Sequence, residues 1–227
     1  MLLLGHRGCR GEVTENTIAA FDYALESGCD GFELDVRLTG DGIPVIWHDA
    51  RLRGRFLSRQ RWEPMRELCL KAGRLPRREA IELCQLEEVL ARYRHVAWMD
   101  IELKVRGVEA QVAELVRRLR PERGFVLSSF RRPVLLELHR IDPTLPLGFI
   151  FDRMPQARVW NDLPVQYVKP SARLVTAALV EGFHAQGMKV LTWTVNSAVD
   201  MRRLAEAGVD GMIGDDPVAL AASRRDL

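Results

Sequence analysis

The sequence predicts an α/β protein, a (β/α)8 TIM barrel with a small insertion after its second strand. Short apolar runs alternate with helical patterns along the 227 residues, which indicates parallel strands joined by right-handed crossovers. Eight such units fit this length as a closed barrel. An open doubly wound sheet is the competing interpretation, but it would leave edge strands, and the sequence has no GxGxxG phosphate loop to support it.

Eight apolar runs, each followed by a connector that is usually helical, are the predicted strands. They comprise residues 2–5, 32–36, 96–105, 125–129, 147–151, 165–169, 190–195 and 211–213. The predicted helices comprise residues 16–26, 86–93, 108–119, 133–140, 172–186 and 197–207, with a final helix that begins over 217–222. A weaker helical or irregular segment, 154–161, follows the fifth strand.

The first and last helices show how these boundaries are drawn. Residues 16–26 place Phe21 and other apolar side chains on one face, and Gly28 lies just past the end, where glycine commonly terminates a helix. Asn16 could serve simply as the N-cap of this helix. At the other end of the chain, Pro217 suits the first turn of the final helix.

Residues 37–85 interrupt the alternation and form the predicted insertion. Asp41-Gly42 is favoured in two-residue hairpin turns, and residues 44–47 read as the returning strand, so Asp35 would face His48. The pairing could shift by one or two residues because the turn type is not fixed. In each of these registers the hairpin returns His48 to the neighbourhood of Asp35.

The remainder of the insertion, 51–82, is strongly basic. It carries ten Lys and Arg against four Glu, so the rest of a chain with net charge +2 sums to about −4. This segment could be a lobe over one end of the barrel or a solvated surface loop. Residues 1–227 are expected to form one domain, with the hairpin and the basic segment inserted at about 37–85.

Composition is ordinary for a globular enzyme, with 28% charged residues and a net charge too small to indicate nucleic acid or a membrane surface as a partner. No apolar run approaches the ~18 residues of a membrane-spanning helix, and the first residues do not resemble a signal peptide. The four cysteines have neither CxxC nor zinc-finger spacing and are expected to be free thiols. We therefore expect a cytoplasmic protein without nucleic-acid binding or stable membrane association.

Polar residues gather where the predicted strands end, which is where (β/α)8 barrels place their active sites. Glu33 and Asp35 are two residues apart on the second strand, so they share a face, and Glu102 and Lys104 repeat that spacing on the third. The other polar or aromatic residues at strand ends are His6, Arg7, Ser128, Ser129, Lys169, Trp193 and Asn196.

The three carboxylates of Glu33, Asp35 and Glu102 would repel one another at one barrel mouth unless positive charge lies between them. Ligands that are all oxygen favour Mg²⁺ or Ca²⁺ over zinc, and no His/Cys cluster suggests zinc. We therefore expect these residues to hold one divalent metal ion, Mg²⁺ or Ca²⁺. A buried ion pair with Arg or Lys is the structural alternative.

The remaining charged residues suit chemistry on a phosphodiester, which is an anion. Arg7 can grip two phosphate oxygens, and Lys104 can neutralise charge that grows in the transition state. The ordinary pKa of histidine, about 6.5, allows His6 and His48 to act as general acid and general base at neutral pH.

Each of these residues also has a structural interpretation. A single histidine at a strand end is more often structural than catalytic. Trp193 could be a core residue or the wall of a substrate pocket, and we include it among the substrate-binding candidates. Ser128 and Ser129 have no adjacent base or GxSxG elbow, so the sequence does not support a serine nucleophile.

In these positions the sequence resembles the glycerophosphodiester phosphodiesterase family. The resemblance runs in order through His6-Arg7-Gly8, Glu15-Asn16-Thr17, Glu33-Leu34-Asp35-Val36, Asp41-Gly42, Pro44-Val45, His48-Asp49, Leu86-Glu87-Glu88-Val89-Leu90, Ile101-Glu102-Leu103-Lys104, Ser128-Ser129-Phe130, Trp193-Thr194-Val195-Asn196 and Asp210-Gly211. It spans nearly the whole chain. Departures include Thr14 where the family usually has Pro, and Gly214 where it commonly has Thr.

The resemblance implies a (β/α)8 fold and metal-dependent hydrolysis of small glycerophosphodiesters to sn-glycerol 3-phosphate and an alcohol. By motif position it implies an acid–base pair (His6, His48), phosphate contacts (Arg7, Lys104) and metal ligands (Glu33, Asp35, Glu102). The assignment of acid and base between the histidines stays open. The attacking group could be water or a neighbouring glycerol hydroxyl, which would give a cyclic phosphate first.

Two other functions remain as alternatives. One is a phospholipase D-like phosphodiesterase acting on lysophospholipids or sphingolipids, which would need an apolar loop for docking to membranes. Phe56, Leu57 and Trp62 are the few candidates for such a loop in the insertion. The other is a non-catalytic barrel that binds a phosphorylated metabolite or a protein, against which the presence of both histidines and all three carboxylates argues.

Overall fold

The computed structural model describes residues 1–71, 82–155 and 159–225, in which strands and helices alternate. The strands are β1 Leu2–Gly5, β2 Gly31–Leu38, β3 Pro44–Ile46, β4 Arg51–Leu52, β5 Arg55–Phe56, β6 Trp98–Leu103, β7 Phe125–Ser129, β8 Leu147–Phe151, β9 Tyr167–Pro170, β10 Lys189–Thr192 and β11 Gly211–Gly214. The helices are α1 Ile18–Glu26, α2 Trp62–Lys71, α3 Leu86–Tyr93, α4 Glu109–Leu119, α5 Arg132–Ile141, α6 Ala177–His184, α7 Ala198–Glu206 and α8 Pro217–Ala222.

Eight of the strands form a closed parallel barrel, so the predicted (β/α)8 TIM barrel is confirmed. Their order around the barrel is β1, β2, β6, β7, β8, β9, β10 and β11. Closure occurs at β1, where Leu4 pairs with Gly31 of β2 on one side and with Ile213 of β11 on the other. The first and last strands of the chain are therefore neighbours.

Apolar side chains are buried on both sides of the barrel wall. The largest cluster packs the helices onto the strands and includes Phe21, Leu34 and Leu90. A smaller cluster, formed by Leu4, Trp98, Val126, Leu191 and Ile213, fills the barrel interior. Because side chains alternate along a strand, residues two and four positions beyond these interior residues also face inward, toward the carboxyl ends of the strands.

The insertion has a small hydrophobic core of its own. Its buried residues are Val45, Leu52, Leu57, Trp62, Met65, Cys69 and Leu83. This core indicates a packed lobe rather than a wholly solvated loop in the described part of segment 51–82; residues 72–81 lie outside the described residues. Of the three candidates for an apolar docking loop, Leu57 and Trp62 are buried in this core, and Phe56 alone is exposed.

The predicted hairpin forms, but the predicted pairing is wrong by one residue. The N–H of Trp47 donates to the carbonyl oxygen of Asp35 at 2.9 Å, so Asp35 faces Trp47 rather than His48. A three-residue loop, 40–42, replaces the expected two-residue turn. The reason is Gly42, whose φ of 82° supplies the left-handed residue that ends such a loop.

Two helix starts also differ from the prediction. Thr17, not Asn16, caps α1, since its hydroxyl accepts the N–H of Ala20 at 3.2 Å. The predicted helix 172–186 divides into a 3₁₀ turn, Ala172–Leu174, and α6. At the break the Thr176 hydroxyl caps α6 by accepting the N–H of Leu179 at 3.2 Å. Arg203 donates to the carbonyl oxygens of Ala172 and Val175 just before this cap.

The other elements lie within a few residues of their predicted bounds. Of the predicted segment 154–161, residues 156–158 lie outside the described residues, and Val159–Asp162 form a short 3₁₀ helix. Within the described ranges, no helix combines the length and apolar character that crossing a bilayer requires. All four cysteines are free and buried, which confirms the expectation of free thiols.

Candidate active site

Three buried carboxylates meet at the carboxyl ends of β2 and β6. The register pairs Asp35 with Glu102, and Glu33 lies two residues earlier on the same inward face of β2. Oxygen atoms of the three carboxylates lie within 4.8 Å of one another. The side chains that the sequence assigned to one metal ion are therefore together.

Positive charge surrounds only part of this cluster. Lys104 Nζ lies 3.2 Å from Asp35 Oδ1 and 2.9 Å from Glu102 Oε1, and Arg7 Nε lies 3.1 Å from Asp35 Oδ2. Glu33 instead accepts the backbone N–H of Arg7 at 2.9 Å. Ion pairing, the structural alternative for the carboxylates, is thus seen at Asp35 and Glu102 but not between Glu33 and either of these cations.

The pKa values of the carboxyl groups reflect this uneven compensation. Burial, reinforced by the charges of Asp35 and Glu102, raises the pKa of Glu33 well above its usual range. Burial also raises the pKa of Glu102, although Lys104 opposes it. Burial opposes ionisation of Asp35 too, but Lys104 and Arg7 outweigh it and lower the pKa. With all three carboxylates ionised, the cluster would carry more negative charge than Lys104 and Arg7 neutralise, which fits a hard divalent cation.

The Asn16 side chain is hydrogen-bonded to both the side chain and the backbone of Asp35. Its amide Nδ2 donates to Asp35 Oδ2 at 2.8 Å, and its Oδ1 accepts the backbone N–H of Asp35 at 3.2 Å. The φ angle of Asn16 is 58°, a left-handed conformation that asparagine tolerates better than most residues. Its function is thus to orient a carboxylate rather than to begin a helix.

His6 follows β1 and is oriented by Asp215, which follows β11. His6 Nδ1 lies 2.6 Å from Asp215 Oδ1, and Nε2 lies 3.9 Å from Glu33 Oε2. Burial opposes ionisation of Asp215, but hydrogen bonds from His6 and Asn196 lower its pKa below the usual value. An ionised carboxylate accepts only, so Nδ1 donates and Nε2 is left facing Glu33.

His48 reaches the same site from the insertion. It follows β3, and its Nδ1 lies 2.8 Å from Asp49 Oδ1. Its backbone carbonyl oxygen accepts from Arg37 Nε at 2.6 Å. Although the predicted register was wrong, the hairpin brings His48 to the barrel mouth, as the sequence predicts.

One pocket of about 180 Å³ joins these groups. Seven of the eight predicted site residues line it: His6, Arg7, Glu33, His48, Glu102, Lys104 and Trp193. The eighth, Asp35, contacts Arg7 and Lys104 of that lining. Trp193 packs edge-on against Phe130, with ring centroids 5.5 Å apart, so it forms part of an aromatic wall.

Arg7 is held at the pocket by an ion pair with Glu15. Its Nη1 lies 2.6 Å from Glu15 Oε1, and Glu15 also binds Arg10 Nε at 2.6 Å. The Glu15 side chain therefore links two arginines on the β1 side of the mouth. Arg7 keeps its full charge there, because the attraction of Asp35 and Glu15 raises its pKa against the opposing effect of burial.

Two groups of functional interest were missed from the sequence. Asp215 could have been noticed because it follows the last strand, which a closed barrel places beside His6. Asp100 lies beneath Glu102, where it forms a buried ion pair with Lys169 and accepts a hydrogen bond from Ser128 at 2.7 Å. Ser128 is thus committed to this network, consistent with the absence of a serine nucleophile.

The comparisons with known proteins agree with this geometry. A model of the glycerophosphoryl diester phosphodiesterase family matches residues 6–219. A glycerophosphodiester phosphodiesterase from Caldanaerobacter subterraneus subsp. tengcongensis is 31% identical, over 96% of each chain.

Two solved structures share the fold. A glycerophosphodiester phosphodiesterase from Agrobacterium tumefaciens is 25% identical, with a TM-score of 0.84 over 98% of this chain and 99% of that one. An Oleispira antarctica phosphodiesterase, solved with the product sn-glycerol-3-phosphate, is 24% identical, with a TM-score of 0.81 over 99% and 97%. With the family model matching nearly its whole length, the chain belongs to the glycerophosphoryl diester phosphodiesterase family and is an enzyme of that family.

Proposed function

We propose that this enzyme hydrolyses glycerophosphodiesters to sn-glycerol 3-phosphate and an alcohol, with one divalent metal ion, Mg²⁺ or Ca²⁺, and with His6 and His48 as acid and base. The observation that carries the proposal is the convergence of two imidazoles, three carboxylates and two cations on one pocket. The product bound to the Oleispira antarctica phosphodiesterase supports the same reaction.

Glu33, Asp35 and Glu102 are the residues that would hold the metal ion. The ion would supply Lewis acidity to a phosphoryl oxygen and neutralise charge on it. Arg7 offers a fork of donors and Lys104 a point charge to the same phosphate. Both side chains already lie at the carboxylates, so they can compensate charge that develops on phosphorus without large rearrangement.

The two histidines divide the proton transfers. One imidazole accepts the proton of the attacking water or hydroxyl as the new P–O bond forms. The other donates a proton to the alcohol oxygen as the old P–O bond breaks. Asp215 holds His6 so that its Nε2 is available, and Asp49 offers His48 a similar partner.

The test is turnover of several glycerophosphodiesters with Mg²⁺, Ca²⁺ and Mn²⁺ in parallel, in the wild type and in His6→Ala and His48→Ala. Each substitution is expected to lower kcat/KM by about 10²–10⁴-fold, the usual contribution of a general acid or base. Chelation with EDTA followed by dialysis is expected to abolish turnover, and added metal to restore it.

The control is His95→Ala, which removes a half-exposed histidine paired with Glu122. It is expected to retain wild-type kcat/KM, and circular dichroism should show all three variants folded. Full activity in either pocket variant would remove that histidine from the mechanism, and activity insensitive to EDTA would contradict the metal requirement.

A soluble diester is favoured over a lysophospholipid, because the described part of the insertion offers Phe56 alone of the three candidates for a docking loop. Comparing glycerophosphocholine with lysophosphatidylcholine as substrates separates the two. We further propose that residues 1–227 act as one catalytic domain with its insertion at about 37–85. Four free, buried thiols are consistent with a reducing, cytoplasmic location.

A further inference from the structure

We propose that the preferred substrates are diesters whose alcohol carries a second anionic group, bound by Arg37 and Arg131 at the rim of the pocket. This inference rests on the proposed function and names a substrate class for the same site. Neither arginine belongs to the set of residues that the chemistry at phosphorus requires.

Strand geometry places Arg37 directly above the carboxylates. It lies two residues beyond Asp35 on β2, so it shares the inward face one step closer to the mouth. The β2–β6 register pairs Asp35 with Glu102, and its continuation sets Arg37 beside Lys104. Arg37 Nε donates to the carbonyl oxygen of His48 at 2.6 Å, which holds the guanidinium next to a candidate catalytic residue.

Arg131 lies in the neighbouring sector of the same rim. It follows Phe130, whose ring lines the pocket and lies 5.9 Å from Lys104 Nζ. The β6–β7 register pairs Glu102 with Ser128, so the residues just after β7 lie at the level of Lys104. Arg131 is exposed, and its backbone N–H donates to Ser129 Oγ at 3.1 Å.

Neither of these two arginines forms a direct ion pair with a carboxylate in the part of the chain that the structure describes. Within the described ranges, every carboxylate lies more than 4.0 Å from the cationic nitrogens of Arg37 and Arg131, whereas Arg10 across the mouth has Glu15 at 2.6 Å. A half-buried guanidinium without a paired anion is costly, and a bound anion removes that cost.

The position selects the kind of ligand. Arg7 and Lys104 already serve the scissile phosphate. Arg37 and Arg131 are therefore available to bind a second anionic group of the substrate. A phosphate or carboxylate on the alcohol would bind there, whereas a quaternary ammonium would meet repulsion. Binding there is remote from the breaking bond, so it should act on KM more than on kcat.

The experiment compares two substrates that differ by one terminal phosphate, glycerophosphoglycerol and glycerophosphoglycerol phosphate. Wild-type kcat/KM is expected to be about fivefold or more higher for the phosphorylated substrate, mainly through KM, which is the effect of one ~1 kcal/mol ion pair. Glycerophosphocholine is expected to have the lowest kcat/KM. The preference should decline as NaCl is raised.

Arg131→Gln is expected to bring the ratio of kcat/KM values toward one, and Arg131→Lys to keep part of it. The matched control is Arg123→Gln, which removes an exposed arginine at the opposite end of β7 and should leave the ratio unchanged. Equal kcat/KM values for the two substrates, or a wild-type ratio in Arg131→Gln, would overturn the inference. Failure to hydrolyse either substrate would instead overturn the proposed function.

Discussion

At the scale of the residue, the site depends on side chains that orient other side chains. Asp215 illustrates this, because its carboxylate accepts from His6 and from Asn196 Nδ2, the latter at 2.7 Å. Its pKa is lowered below the ordinary 3.8, so it is ionised throughout the pH range in which the enzyme is expected to work. Asp215 therefore contributes to stability as well as to the position of the imidazole.

The substitution Asp215→Asn tests that contribution. The folded-state pKa is depressed, so the stabilisation is fully present above about pH 4 and disappears as pH falls through the lower folded value. We expect Asp215→Asn to lower the free energy of unfolding by about 1–2 kcal/mol at pH 7. The deficit should shrink toward pH 3, as measured by urea unfolding at the two pH values.

Asp152→Asn, at an exposed aspartate after β8, serves as the control and should change stability little at either pH. A deficit in Asp215→Asn that is equally large at pH 3 and pH 7 would show that the carboxylate charge is not what stabilises the fold.

At this scale the sequence predicts a side-chain arrangement correctly where both side chains lie on one strand. Glu33 and Asp35 share a face because they are two residues apart, and that holds for any strand. Such prediction fails where distant segments must meet. The pairing of His6 with Asp215 depends on barrel closure, and the role of Asn16 depends on a left-handed backbone that orients its amide toward Asp35.

At the scale of the element, the hairpin that carries His48 depends on its turn. Thr39 accepts the N–H of Gly42 at 3.1 Å through its carbonyl oxygen, and Gly42 then returns the chain in a left-handed conformation. An aspartate-glycine pair suits both two-residue and three-residue loops, which is why the register could not be determined from the sequence. Existence of the hairpin was predictable, but its exact pairing was not.

Two glycine-to-alanine substitutions compare a glycine that needs its left-handed backbone with one that has room for a Cβ in a helix. Gly42→Ala places a Cβ at a φ of 82° and is expected to destabilise the protein by about 1 kcal/mol. Gly182→Ala lies within α6, where an added Cβ meets nothing within 4 Å, and is expected to stabilise by about 0.5–1 kcal/mol. Thermal unfolding of both variants against wild type measures the opposite signs.

Each variant serves as the control for the other, because both substitutions add the same methyl group. A stabilised Gly42→Ala protein would mean that the hairpin tolerates another turn type. In that case the position of His48 would not depend on this loop, and the kcat/KM of the variant should match that of wild type.

The helix predictions show the same division between local and tertiary effects. α4, α5 and α7 have clear amphipathic patterns, and their bounds match the prediction within one residue. The start of α6 does not, since the helix begins only after Thr176, whose hydroxyl caps it. The hydrogen bonds from Arg203 of α7 to the preceding segment are tertiary contacts, which the residues of that segment do not signal.

At the scale of the whole molecule, the four thiols are buried at separate places in the fold. Cys9, Cys29, Cys69 and Cys84 are at most 7% exposed. Burial raises the pKa of Cys29 and of Cys84 to about 12, so neither is a thiolate at neutral pH. The fold therefore protects all four thiols from reaction.

A thiol titration checks this protection. The folded protein is expected to react slowly with Ellman's reagent, over hours rather than seconds, and the protein in guanidinium chloride is expected to release four equivalents at once. Rapid release of one equivalent from the folded protein would identify an accessible thiol and contradict the burial of that residue.

The pairing of β1 with β11 has a consequence for when the enzyme becomes active. One imidazole follows the first strand of the barrel, and the carboxylate that orients it, Asp215, follows the last strand. A nascent chain that has not yet reached β11 therefore lacks a complete reaction centre, even where its earlier strands have paired. Two separately expressed halves of the barrel would regain hydrolysis only after they associate.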